Sequence, residues 1–141
     1  MAVSNWKPEG YNSASPYLIV SDAKATLVFL RAAFDAEPLR VYARPDGTLK
    51  HAEARIDDTV VMLADATEAW PPVPAHVHIY VADVVASYGR AIAAGGKSVM
   101  EPEQKGDEDK RGGGARCWRH NLVARDSSRL TSCAGRPCRT C

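Results

Sequence analysis

Cysteine is missing from the first 116 residues of this 141-residue chain, which leaves the body of the protein without a disulfide, a thiolate metal site or a cysteine nucleophile. Long apolar runs are missing too: no stretch approaches the roughly 18 residues that a membrane-spanning helix needs. The opening MAVSNWKPEGYN has neither a basic n-region nor an apolar h-region, so no secretion signal is read there, and a cytoplasmic protein with no membrane partner is expected. Acidic residues nearly vanish at the other end. Residues 115–141 carry six Arg against the single Asp126, while residues 1–114 carry 12 Lys/Arg against 16 Asp/Glu. The net charge of +1 therefore joins an acidic body to a basic tail of separate composition.

That tail holds all four cysteines, Cys117, Cys133, Cys138 and Cys141. The spacing Cys133-x4-Cys138-x2-Cys141 resembles half of a zinc site, and Cys117 or His120 could complete four ligands. The Arg, Ser, Gly and Pro between them offer no framework of strands or turns, so an unstructured tail is expected. Its only aromatic residue is Trp118 and no recognition motif accompanies the arginines, so no nucleic-acid partner is expected.

What is present in the body is a pattern that occurs twice. SPYLIVSD (15–22) is a short apolar strand ending in Asp22, which caps a helix over 23–36 whose apolar residues 27, 28, 30, 33 and 34 keep helical spacing. PLRVYARPDG, LKHAEARID and TVVMLAD follow as three strands separated by turns, which makes the first half βαβββ. WPPVPA can continue neither a helix nor a strand ladder and reads as a connector. HVHIYVAD and ADVVASYGRAIAAGG then repeat the strand, the Asp cap and the helix, with a Gly C-cap, and KSVMEPEQ is a sixth strand. Asp22 and Asp83 lie 61 residues apart at equivalent places, so the second unit lacks two strands, to be sought from residue 110 onward.

SPYLIVSDAKATLVFLRAAFDAE, LKHAEARIDDTVVMLAD, HVHIYVADVVA and GDEDKRGG resemble the vicinal oxygen chelate superfamily (glyoxalase, bleomycin-resistance protein, extradiol dioxygenase), and within it the PhnB-like branch. The resemblance covers residues 13–113 and implies an α+β fold of two βαβββ modules forming a half-open barrel around a cavity. It divides the chain into an N-terminal arm (1–12), a first module (13–66), a linker (67–75), a partial second module (76–114), incomplete or altered at its last strands, and an atypical tail (115–141). It also implies a homodimer. Members of the branch continue after GDRxxR-G-G with a segment like V-x-D-P-x-G-N-T-W-W-I-A-T, and this chain departs from that. Codons permitted for Gly114 to Thr131, read one nucleotide later, give V-R-D-A-G-G-T-T-W-W-L-A-T-Q-V-A and a stop. The tail is therefore expected to be the closing strands of the family read out of frame, which leaves an impaired product as one reading of the chain.

Metal-using members of this superfamily place four ligands on the barrel strands, where a divalent ion chelates two substrate oxygens. Carried over by resemblance, those positions are Ser15, Met62 and His76, with the fourth a Trp in the shifted frame. Only His76 is a good ligand for such an ion, so no cofactor is expected in the standard arrangement, although a divalent metal remains possible. A second polar set comes from strand alternation: His51, Glu53 and Arg55 on one face of the third strand, and His76, His78 and Tyr80 on one face of the fifth. If both faces look into the cavity, these residues line a ligand site in which two or three His with one Glu bind a metal unconventionally or serve as acid/base groups, His51 and Glu53 being the catalytic candidates. They are equally the residues that a solvated sheet face carries. The alternatives are a small-molecule-binding domain without a standard metal, and a metal-dependent lyase, isomerase or dioxygenase using His76 with Glu53 or His51. GDEDKRGGG (106–114) lacks the features of a phosphate loop and is expected to be a mobile loop over the pocket mouth. Met62 and Met100 also suit a core position.

Overall fold

In the computed structural model, which describes residues 6–104, 110–116 and 120–126, the chain folds as two βαβββ modules. The first comprises β1 (Tyr17–Val20), α1 (Ala23–Phe34), β2 (Glu37–Ala43), β3 (Leu49–Ile56) and β4 (Thr59–Asp65). The second comprises β5 (Ala75–Tyr80), α2 (Val84–Ala93), β6 (Lys97–Gln104), β7 (Lys110–Arg116) and β8 (His120–Asp126). Each makes its own four-stranded sheet, in the orders β1-β4-β3-β2 and β5-β8-β7-β6. In both, the first strand pairs in parallel with the last while the other neighbours are antiparallel. The repetition seen in the sequence is thus a repetition of topology.

The helices start where the aspartates predict. Asp22 is extended and its carboxylate accepts from the Ala25 N–H; Asp83 does the same for Ala86. Each cap satisfies an N–H that the first turn leaves without a partner. Helix α1 ends at Phe34, two residues short of the expected span, and is capped by Asp35 in the left-handed region (φ 54°). At the end of α2 the cap is Ala94, and Gly95 follows it with φ +91°.

Asp65, at the end of β4, was not singled out by any motif, yet it ties three elements together. Its buried carboxylate accepts from the backbone N–H of Ala23 at 2.8 Å and of Leu49 at 2.5 Å. One side chain thereby fixes the start of α1 and the start of β3 against the end of β4.

The core lies between α1 and the first sheet and continues into α2. Val20, Phe29, Leu30, Leu63 and Val84 are almost completely buried within it. Helix α2 packs on α1, which is the principal contact between the modules. Gly96 allows that approach: a Cβ there would lie 2.7 Å from the Ala91 carbonyl oxygen and 3.2 Å from the Phe29 ring. Arg90 reinforces the contact by donating from Nε to the Ala33 carbonyl at 3.2 Å.

The two strands sought from residue 110 onward are β7 and β8, formed in a stretch of altered composition. β7 and β8 pair over their whole lengths, and β8 also pairs with β5 from Ala75–His120 to Tyr80–Arg125. A ladder is made by backbone groups, so the unusual composition of this stretch does not prevent it. Gly112 additionally lies close against Pro102 of β6, where a Cβ would sit 3.2 Å from the ring. The four cysteines, residues 105–109 of the charged glycine-rich loop and the rest of the tail lie outside the described residues.

Candidate functional site on the first sheet

The registers place side chains in rows. Tyr17 of β1 and Glu53 of β3 both stand opposite Met62 of β4, and Tyr42 of β2 stands opposite His51. Cross-strand partners share a face, so Tyr17, Met62, Glu53, His51 and Tyr42 line one side of the first sheet, away from α1. Here β2 is bulged on both sides of Val41–Tyr42, a feature that twists a strand and re-aims its side chains.

Glu53 is the centre of this face. It is 3% exposed, and a carboxylate that is buried requires partners. The Tyr11 hydroxyl donates to its Oε2, and Nε2 of His51 lies 3.0 Å from its Oε1. Burial raises the carboxyl pKa, but the hydrogen bonds from Tyr11 and His51 and the positive charge of Arg40 outweigh it, so the net displacement is downward and Glu53 is ionised at neutral pH. An ionised carboxylate only accepts, so Nε2 of His51 carries its hydrogen. In the neutral ring Nδ1 is then an acceptor, and it faces the Tyr17 hydroxyl at 3.1 Å. The result is a continuous chain, Tyr17–His51–Glu53–Tyr11. Aromatic rings flank it: Tyr42 stacks on His51 with 6.3 Å between centroids, and Tyr17 is tilted at 5.7 Å. Both tyrosines are about half exposed, at 49% and 56%, so they form a shelf open to a ligand.

The N-terminal arm lies over the Glu53 end of this shelf. Asn12 is fastened at both ends of its amide, donating to the Asp58 carbonyl at 3.3 Å and accepting from the Val60 N–H at 2.8 Å. Arg55 donates to the Gly10 carbonyl at 3.2 Å, and the Arg40 guanidinium sits 5.2 Å from the centroid of the Tyr11 ring. The hydrogen bond to Glu53, foremost, raises the pKa of the Tyr11 hydroxyl.

Among the residues expected from sequence, His51, Glu53 and Met62 are brought together, with Arg55 at the arm. His76, His78 and Tyr80 are not joined to them. They lie exposed on β5, in the other sheet, where the His78 and Tyr80 rings are 5.2 Å apart. His76 lies on β5 of the second sheet and His51 and Glu53 on β3 of the first, and the modules meet chiefly through their helices. Among the described residues, the positions carried over for a metal are divided between the two modules. Ser15 offers a buried hydroxyl that lacks a hydrogen-bond partner, Met62 a thioether, and His76 belongs to the other sheet. No group of three or more His, Cys, Asp or Glu able to hold a metal ion occurs among the described residues. An open groove on the outer side of α1, lined by Val28, Arg31, Asp35 and Pro38 among others, contains none of the groups of the face.

Sequence reasoning missed Tyr11, Tyr17, Tyr42 and Arg40. Tyr17 was legible from alternation with Ile19, whereas Tyr42 reaches His51 only because of the bulges, and no local pattern ties Tyr11 to a strand 42 residues away.

The sequence model described as "Glyoxalase/Bleomycin resistance protein/Dioxygenase superfamily" matches residues 12–112. The chain belongs to this superfamily. It is 36% identical over 102 residues to an uncharacterized protein of Mycobacterium bovis, covering 64% of this chain and 67% of the relative. It has the same identity to an uncharacterized protein of Mycobacterium tuberculosis H37Rv, of whose length it spans 60%. Among solved structures it is similar to TioX from Micromonospora sp. ML1, with TM-score 0.68 and 19% identity over 81% of this chain and 98% of that one. It is similar to a mutant of the fosfomycin resistance protein FosX from Listeria monocytogenes, in complex with Mn(II) and 1S,2S-dihydroxypropylphosphonic acid, with TM-score 0.65 and 17% identity over 83% and 90%. It is also similar to TnmS3, an antibiotic binding protein from Streptomyces sp. CB03234, with TM-score 0.64 and 16% identity over 83% and 98%. At these identities the solved structures speak for the fold. No helix among the described residues is long and apolar enough to cross a membrane.

Proposed function

We propose that this glyoxalase-superfamily domain binds a small organic molecule on the Tyr17–His51–Glu53–Tyr42 face, without a standard catalytic metal, in the cytoplasm. The observation that carries this reading is the state of Glu53: a buried, ionised carboxylate already hydrogen-bonded by Tyr11 and His51, which orders a shelf of half-exposed rings. Antibiotic binding by a protein of the same fold, TnmS3, agrees with it. His51 keeps an imidazole nitrogen directed at Tyr17, so acid/base chemistry on the bound molecule is open to the same groups.

The functional unit in this reading is a homodimer in which the β5 face of a second copy covers the shelf. Its support is exposure: Tyr17 and Tyr42 on the first module, and His76, His78 and Tyr80 on the second, all face outward in one chain. His76, His78 and Tyr80 would then contribute to the ligand site from the partner copy. A thermal-shift screen of small antibiotics, diketones and catechols tests the reading. Hits that stabilise the wild type but not His51→Ala support it, while stoichiometric Fe, Mn, Ni or Zn that is lost in His76→Ala sinks it in favour of a metal-dependent lyase, isomerase or dioxygenase.

Residues 115–141 belong, in the same proposal, to a reading frame displaced by one nucleotide. The match to the superfamily, ending at Gly112 just where the composition changes, supports this. The frame-restored protein is expected to be more stable than the present chain, which is the impaired form. An unshifted clean read of the source gene, with equal stability of the two proteins, would count against it.

A further inference from the structure

Tyr11 is a phenol held by a site that the arm brings to it. Its hydroxyl donates to Glu53 and its ring lies under Arg40. The segment that carries it is attached on both sides, and Lys7 Nζ spans it by donating to the Ser13 hydroxyl at 3.3 Å. Downstream, Asn12 is anchored to Asp58 and Val60 through both ends of its amide. Upstream, Pro8, Glu9 and Gly10 are exposed, Trp6 is 74% exposed, and the attachments are Arg55 to the Gly10 carbonyl and a turn from the Tyr11 N–H to the Pro8 carbonyl at 3.3 Å. Gly10 has φ +77°, so the chain reverses there on a residue that adopts many other conformations.

We propose that Tyr11 is a displaceable plug and that the site beneath it takes a phenolic ligand. This deepens the reading of the shelf as a small-molecule site and rests on it. Rotation about the torsions of Tyr11 itself lifts its ring while Asn12 stays in place, and Gly10 absorbs the change in the path of the chain before it. The vacated space has a carboxylate floor that demands a hydroxyl donor and a guanidinium against which an electron-rich ring stacks. A ligand larger than the tyrosine side chain extends from there over His51 and Tyr42, and those added contacts are what allow it to displace Tyr11. An aliphatic alcohol lacks the ring, and a carboxylate ligand is repelled by ionised Glu53, so phenols are the class selected.

The test uses the full chain, with p-cresol, which is the tyrosine side chain itself, and toluene as probes. Binding is measured by isothermal titration to the wild type, Tyr11→Ala and the double variant Tyr11→Ala/Glu53→Gln. Tyr11→Ala should bind p-cresol about tenfold or more tighter than the wild type does and about tenfold tighter than it binds toluene, the range of one hydrogen bond to a charged group. The double variant should lose the preference for p-cresol. Equal binding of p-cresol and toluene by Tyr11→Ala, or no gain over the wild type, overturns the proposal. Should Tyr11→Ala not fold, chymotryptic cleavage after Tyr11 in the wild type takes its place: 4-phenylphenol, whose second ring supplies the added contacts, should accelerate it, and an unchanged rate overturns the proposal. Screening hits that still require His51 while p-cresol fails would remove the phenol specificity alone; hits indifferent to His51 would remove the site itself.

Discussion

Nε2 of His51 lies 3.0 Å from Oε1 of Glu53, two residues further along the same strand, and the carboxylate is the buried member of the pair, at 4% side-chain exposure against 25% for the imidazole. A solvated sheet face would leave both in water. The hydrogen bonds from Tyr11 and His51 and the charge of Arg40 keep the buried acid ionised against the effect of burial, and an acceptor-only carboxylate fixes which imidazole nitrogen carries hydrogen.

The stability of the protein should report that carboxylate. Its pKa is held below the ordinary 4.5 by Tyr11, His51 and Arg40 acting against burial, so the unfolded chain binds more protons than the folded one as the pH falls. The contribution is complete above the unfolded value and is lost as the pH drops through the folded one. Glu53→Gln is expected to lower stability at pH 7 by about 1–3 kcal/mol, with the gap to the wild type closing below about pH 4.5. Urea denaturation of both proteins across pH 3–7 measures it, and a gap that widens on acidification would contradict the assignment.

Asp65→Ala should be among the most damaging single changes outside the apolar core. It leaves the N–H groups of Ala23 and Leu49 inside the protein without their acceptor, at about 1–3 kcal/mol each. Asp65→Asn retains one acceptor oxygen and should recover part of the loss. Chemical denaturation ranks the three proteins, and an Asp65→Ala protein as stable as the wild type would show that the carboxylate does not organise the module.

Gly96→Ala tests the junction between modules. The new methyl group meets the Ala91 carbonyl at 2.7 Å and the Phe29 ring at 3.2 Å, an overpacking expected to cost about 1–3 kcal/mol. The neighbouring Gly95→Ala meets no atom within 4 Å but carries φ +91°, so its penalty is backbone strain of about 1–2 kcal/mol, the left-handed penalty of a non-glycine residue. Amide hydrogen exchange separates them: Gly96→Ala should loosen α1 and α2 together, and Gly95→Ala the end of α2 alone.

Much of the fold was legible because it rests on local rules. Asp22 and Asp83 announce their helices through capping, the alternation in LKHAEARID places His51 and Glu53 on one face, and the repeat predicts two further strands. β7 and β8 supply those strands although their composition argued against it, because strand pairing draws on the backbone. The site was legible only in its centre. Tyr42 depends on bulges that have no sequence signature, Tyr11 depends on the path of an arm without regular structure, and the two histidine faces share a pattern without sharing a sheet. Alternation tells which residues point the same way from one strand; it does not tell what lies in front of them.

The most direct test of the account is the long-range ¹H–¹⁵N correlation spectrum of the imidazoles at neutral pH, recorded before and after addition of stoichiometric Zn(II). The account predicts hydrogen held on Nε2 of His51 against Glu53, a signature that is lost in Glu53→Gln and is unmoved by zinc. Loss of that signature on adding zinc, with His51 and His76 shifting together, would contradict a site organised by Glu53 and would place a metal at its centre.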